Sequence, residues 1–71
     1  MTMEAKLFDV VALLADLPAQ GLVRGQVGTL VENFGPEVFE VEFSDDAGRT
    51  YASVALRSNQ FLVLHHKEVS V

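Results

Sequence analysis

The five residues Phe39-Glu40-Val41-Glu42-Phe43 constrain this chain more than any others. Apolar and acidic side chains alternate there without a break. On an extended strand successive side chains point to opposite faces, so this stretch is apolar on one side and charged on the other. Directly after it, Asp45-Asp46-Ala47-Gly48 reads as a four-residue hairpin loop in which Gly48 is free to take left-handed backbone. Upstream, Gly25-Gln26-Val27-Gly28-Thr29-Leu30-Val31 reads as a partner strand with glycines where a small sheet must bend.

The remaining elements follow from the same signals. Phe8–Leu14 fits helix or strand by hydrophobicity alone; Val10-Val11 and the nearby Pro18 favour a strand. Residues 16–22 form a loop that Leu17 and Leu22 pin to the core. Gln26–Asn33 is the second strand, Phe34-Gly35-Pro36 a turn, Glu37–Ser44 the third strand and Arg49–Leu56 the fourth. Arg57–Gln60 suits one 3₁₀ turn, and Phe61–Leu64 a short fifth strand. Five short strands with a long first loop and tight later turns predict an all-β, five-stranded antiparallel barrel of the SH3 type, closed, occupying residues 1–71 as a single domain.

Burial selects a register. If Ser44 faces Arg49, then Phe43 faces Thr50, Val41 faces Ala52 and Phe39 faces Val54. A three-residue turn at Phe34–Pro36 sets Val31 against Phe39, Thr29 against Val41 and Val27 against Phe43. A two-residue turn would put Glu32 on the buried side, and a one-residue slip moves every side chain to the wrong face. The expected core is Val11, Leu13, Val27, Val31, Phe39, Val41, Phe43, Ala52, Val54, Leu56 and Leu62. A bulge at Gly28 would turn Leu30 inward instead.

Size and composition limit what such a fold can do. A domain of 71 residues buries about 60% of its unfolded surface. Chains this short usually need disulfides, a metal or a second subunit. Cysteine is absent, and His65 and His66 are adjacent, so on a strand they point apart and cannot chelate one ion. With 49% hydrophobic residues, more than one small core can hide, a homo-oligomer is expected, most simply a dimer. The net charge is −5, and Lys6, Arg24, Arg49, Arg57 and Lys67 are scattered, with no basic patch for phosphates. No signal peptide and no stretch of about 20 apolar residues stands out, so a cytoplasmic protein off the membrane is expected.

The candidate residues lie on the outer side of the central strands. Glu40 and Glu42 share one face, with Glu32 across from them, and the register sets Leu30, Val38, Tyr51 and Ala55 among these acids. Paired carboxylates serve acid–base chemistry only where their environments separate their pKa values, and no nucleophile or pocket accompanies them. Divalent cations need more oxygen ligands from a convergent cavity. The simplest reading is a solvated face, and the functional one is an interface for a basic or amphipathic partner. Arg49 is placed to pair with Asp45 or Glu42, or to meet a ligand. Asp45-Asp46-Ala47-Gly48 lacks the spaced ligands of a calcium loop, and turn chemistry explains it. The glycines do not form a phosphate loop, which needs a strand-to-helix junction. No catalytic residue, metal or cofactor is expected. Histidine at the end of the fifth strand would cover the barrel rim or titrate near neutral pH.

Two resemblances rest on these residues. Gly25-Gln26-Val27-Gly28-Thr29-Leu30-Val31 resembles the KOW motif of SH3-like barrels in ribosomal and transcription proteins, which implies a strand bend beside an RNA-contacting loop. Over nearly the whole chain, Asp9-Val10-Val11-Ala12-Leu13, Leu17-Pro18, Gly21-Leu22, Arg24-Gly25, Val27-Gly28-Thr29, Glu40-Val41-Glu42-Phe43 and Gly48-Arg49-Thr50-Tyr51-Ala52 resemble the bacterial family called domain of unknown function 4926. That resemblance implies a compact β fold and no particular activity, and it leaves an antitoxin-like role open. The functional expectation is a non-catalytic protein-interaction module that self-associates or binds a partner protein, in its sharper form an antitoxin or inhibitor that shields a basic surface. Its partner-binding residues would be Leu30, Glu32, Val38, Glu40, Glu42, Arg49 and Tyr51. The alternative is a KOW-type RNA- or nucleoprotein-binding domain using Arg24 and Arg49.

Overall fold

A computed structural model describes residues 5–64. His65, His66, Lys67 and Ser70 lie outside the described residues. Five antiparallel strands form one sheet: β1 (Val10–Leu13), β2 (Val27–Gly35), β3 (Val38–Ser44), β4 (Thr50–Arg57) and β5 (Phe61–Val63). Short 3₁₀ turns at Pro18–Gln20 and Ser58–Gln60 interrupt the first loop and the β4–β5 connection. The strand positions follow the sequence signals closely, including the 3₁₀ turn before β5. The order across the sheet is β4-β3-β2-β1-β5, so the chain is all-β with the strand succession expected of an SH3-type domain. Closure is the difference. β5, only three residues long, pairs with β1 and not with β4, which leaves an open sheet where a closed barrel was expected.

The core lies on the inner face. Val11, Leu13, Leu22, Leu30, Phe39, Val41, Phe43, Leu56 and Phe61 are buried, with Leu17, Ala52, Val54 and Val63 packed against them. Fully burying an aliphatic or Phe side chain contributes about 1.5–3 kcal/mol, so these residues supply most of the driving force. Leu17 and Leu22 pair across the first loop and seat Leu22 in the core, as expected. Phe61 meets Phe39 edge to face, with ring centroids 5.9 Å apart.

Three expected core positions change. Val27 and Leu62 are about half exposed, and Val31 is only partly buried. The cause is visible in the ladders. Val11 and Leu13 point inward, so Ala12 points outward and takes both of its neighbours, Val27 and Leu62, out with it. Gly28 stands opposite Val11, so the inward positions of β2 are Gly28 and Leu30.

The turn after β2 is also shorter than expected. Gly35 pairs with Val38, leaving Pro36-Glu37 as a two-residue connection. Proline is fixed near φ −65°, whereas the two-residue turns that match strand twist need positive φ at their first position. Extra residues at Val31 and Phe34 restore the pairing: Leu30 faces Val41, Glu32 faces Glu40 and Asn33 faces Phe39. The expectation of a longer turn assumed an unbroken ladder.

A bulge does the same work in β4. Asp45 N–H donates to Arg49 C=O and Ser44 faces Thr50, a register that alone would send Tyr51, Ser53 and Ala55 to the core side. One extra residue at Tyr51 shifts the ladder, so Phe43 faces Ala52, Val41 faces Val54 and Phe39 faces Leu56. The inner faces are those expected; the partners sit two residues further along. Gly48, at φ +82°, completes the loop.

Candidate interaction face

The outer face of β3 carries Glu40 and Glu42. Glu32 on β2 stands directly opposite Glu40, so two like charges meet across the ladder. Ser53 on β4 donates its hydroxyl to Glu40 Oε2 at 2.5 Å, and Thr50 donates to Glu42 Oε1 at 3.2 Å. No cation pairs with Glu32, Glu40 or Glu42 among the described residues. Val38, half-buried, faces Arg57 at the far end of the same face.

Other candidate residues sit elsewhere. Leu30 was placed among the outward acids, yet it is fully buried against Val41, because Gly28 and Leu30 are the inner positions of β2. Arg49 pairs with Asp45 at 3.5 Å, both side chains largely solvated, a contact that contributes at most about 1 kcal/mol. Asp45 Oδ1 also accepts from the N–H groups of Ala47 and Arg49. These bonds account for the aspartate as turn chemistry. Tyr51 is half exposed, and its hydroxyl accepts from Gln26 Nε2 at 2.9 Å, so it reaches over the end of β3 toward the start of β2. Gln26 Oε1 in turn accepts from Val23 N–H and ties that contact to the first loop.

A second set of outward residues escaped the sequence reading. Leu62, Ala12 and Val27 lie side by side across β5, β1 and β2. Val10, also exposed, pairs with Thr29, and its carbonyl accepts from Leu64 N–H. Thr29 in turn pairs with Glu42. Leu62, Leu64, Val10 and Val27 are each 40–54% exposed, so an apolar lane on β5–β1–β2 runs into the carboxylate row of β2–β3. The inward parity of Val11 and Leu13 carried this information, had it been propagated to both neighbouring strands.

Phe8 precedes this lane. Its side chain is 73% exposed and its backbone lies at φ +72°, a region that costs an L-residue about 1–2 kcal/mol. Phe8 N–H donates to Leu30 C=O at 2.6 Å, and Asp9 closes the turn by accepting from Lys6 N–H and donating to Lys6 C=O. A large apolar side chain is thus held in solvent on a strained backbone. The described residues contain no group of three potential metal ligands and no helix long and apolar enough to cross a membrane.

No curated protein and no solved structure matches this chain. A family model described as "Domain of unknown function (DUF4926)" matches residues 7–63, a span that holds all five strands. The chain belongs to that family.

Proposed function

We propose that this DUF4926 member is a non-catalytic protein-interaction module that binds a partner protein bearing a basic, partly apolar surface. The observation that carries this reading is the junction of two lanes on one face. Exposed Val10, Val27, Leu62 and Leu64 lead across Thr29 to outward Glu42, and Glu40 and Glu32 continue the acidic row. An apolar centre supplies affinity by leaving water, and carboxylates beside it select a cationic rim and speed encounter. The net charge of −5 acts in the same direction. In its sharper form the module is antitoxin- or inhibitor-like and shields a basic functional surface. The KOW-type alternative would instead bind RNA through Arg24 and Arg49 with a salt-sensitive affinity.

The test is affinity capture from the source cells with the full chain, beside Val27→Glu and Glu40→Lys variants, over a salt series. A basic protein retained by the native chain, lost with both variants and weakened by salt fits the reading. Capture that neither variant alters, or capture of nucleic acid that salt abolishes, overturns it.

A further inference from the structure

We infer that β4 is a self-association edge, across which two copies of this chain pair antiparallel about Val54. β4 ends the sheet, so among the described residues one side of its backbone has no strand partner. At eight residues it is much the longer of the two edges; β5 has three. Natural edges of this length are usually blunted by Lys, Pro or an inward charge. Residues 52–56 (Ala-Ser-Val-Ala-Leu) contain none of these, and the bulge at Tyr51 affects only the first part of the strand.

The ladder identifies the groups that face outward. Hydrogen-bonded and non-hydrogen-bonded pairs alternate along an antiparallel ribbon. Counting from the Asp45–Arg49 bond through the bulge, Val54 and Val41 form a hydrogen-bonded pair, whereas Ser53 and Ala55 turn their N–H and C=O groups to the open side. A second copy of the same strand satisfies them. With the two-fold axis at Val54, Ser53 of each copy meets Ala55 of the other, inward Ala52 meets inward Leu56, and Arg57 falls beside uncharged Tyr51. Centring on Ser53 would set Arg57 against Arg49, like charge on like, and would move the bulge at Tyr51 from the end of the ladder toward its centre.

The chain's acidity does not oppose this contact. The Glu40 and Glu42 rows of two copies would be three strand spacings apart, about 14 Å, beyond the Debye length of ~8 Å at physiological ionic strength. The choice of a second copy over another strand rests on the self-complementary register and on the size of the domain. Seventy-one residues without a cysteine gain stability from association, and a two-fold pairing closes without propagating. This inference concerns the sheet edge and stands independently of the face proposed for a partner protein.

Light scattering on the full chain should give twice the 7.8 kDa chain mass at micromolar concentration. Ser53→Pro removes an outward N–H, and it should yield a folded monomer by circular dichroism. Val54→Cys places the sole thiol of each copy on the axis, in a non-hydrogen-bonded pair between copies, and should oxidise to a covalent dimer; Ala47→Cys, in the β3–β4 loop, should not. A native chain that stays monomeric at hundreds of micromolar overturns the inference. So does a dimer in which Val54→Cys forms no disulfide, a readout that holds even if Ser53→Pro fails to fold.

Discussion

Val41 occupies the space in which Gly28 would carry a side chain. A Cβ built on Gly28 would stand 2.8 Å from Val41 Cγ1, 2.9 Å from the Glu42 carbonyl and 3.0 Å from the Phe43 ring. β2 therefore crosses β3 at a distance only glycine permits, and the core closes over that point with Leu30. Replacing Gly28 with Ala forces Val41 and Phe43 off their packed positions. The expected loss is about 1–3 kcal/mol, as for other overpacked cores. Urea denaturation should show a lower midpoint with an unchanged slope.

Phe43 and Tyr51 separate the two sides of the β3–β4 ribbon. Phe43 is fully buried, whereas Tyr51 is half exposed and hydrogen-bonds through its hydroxyl to Gln26. Phe43→Ala should cost about 3–5 kcal/mol, a large share of the stability of so small a domain. Tyr51→Phe, which removes one exposed hydrogen bond, should stay within about 0.5 kcal/mol of the native chain. Thermal denaturation of both variants checks this, and the reverse ranking would mean that the faces are inverted.

Element positions were legible because Glu40 and Glu42 interleave with Phe39, Val41 and Phe43, and because turn residues bracket each strand. The exact pairings were not legible, since they depend on bulges at Val31, Phe34 and Tyr51. A bulge adds one residue to one strand, and valine, phenylalanine and tyrosine, unlike glycine, do not announce one. That uncertainty put Leu30 outside and Val27 inside. The same slip concealed the apolar lane, because Val27 and Leu62 read as core until Ala12 is known to point outward. Glu40 and Glu42 face outward as expected, and Glu32 joins them despite the two-residue turn because the extra residues at Val31 and Phe34 restore its parity.

Phe8 offers a test in which stability and binding move apart. Its positive φ suits glycine, and its exposed side chain contributes little burial. Phe8→Gly removes strain of about 1–2 kcal/mol, offset by the roughly 0.5–1 kcal/mol of extra chain entropy that glycine loses on folding. The variant should melt at or slightly above the native temperature. If Phe8 is held in place for recognition, the same variant should retain less of the captured partner. A marked fall in melting temperature would instead make Phe8 a structural residue.

Glu32 and Glu40 test the electrostatic half of the proposed function. Their direct opposition is unfavourable, and Glu32→Lys converts it into an attractive cross-strand pair. The folded chain should gain about 0.2–1 kcal/mol, and the gain should shrink as salt rises and screens the exposed pair. A partner with a basic rim should respond in the opposite sense, binding the stabilised variant more weakly and with a flatter salt dependence. Parallel denaturation and capture measurements on this one variant separate the two effects. Greater stability with undiminished capture would show that the partner reads the apolar lane alone and that the carboxylates serve only to keep the face hydrated.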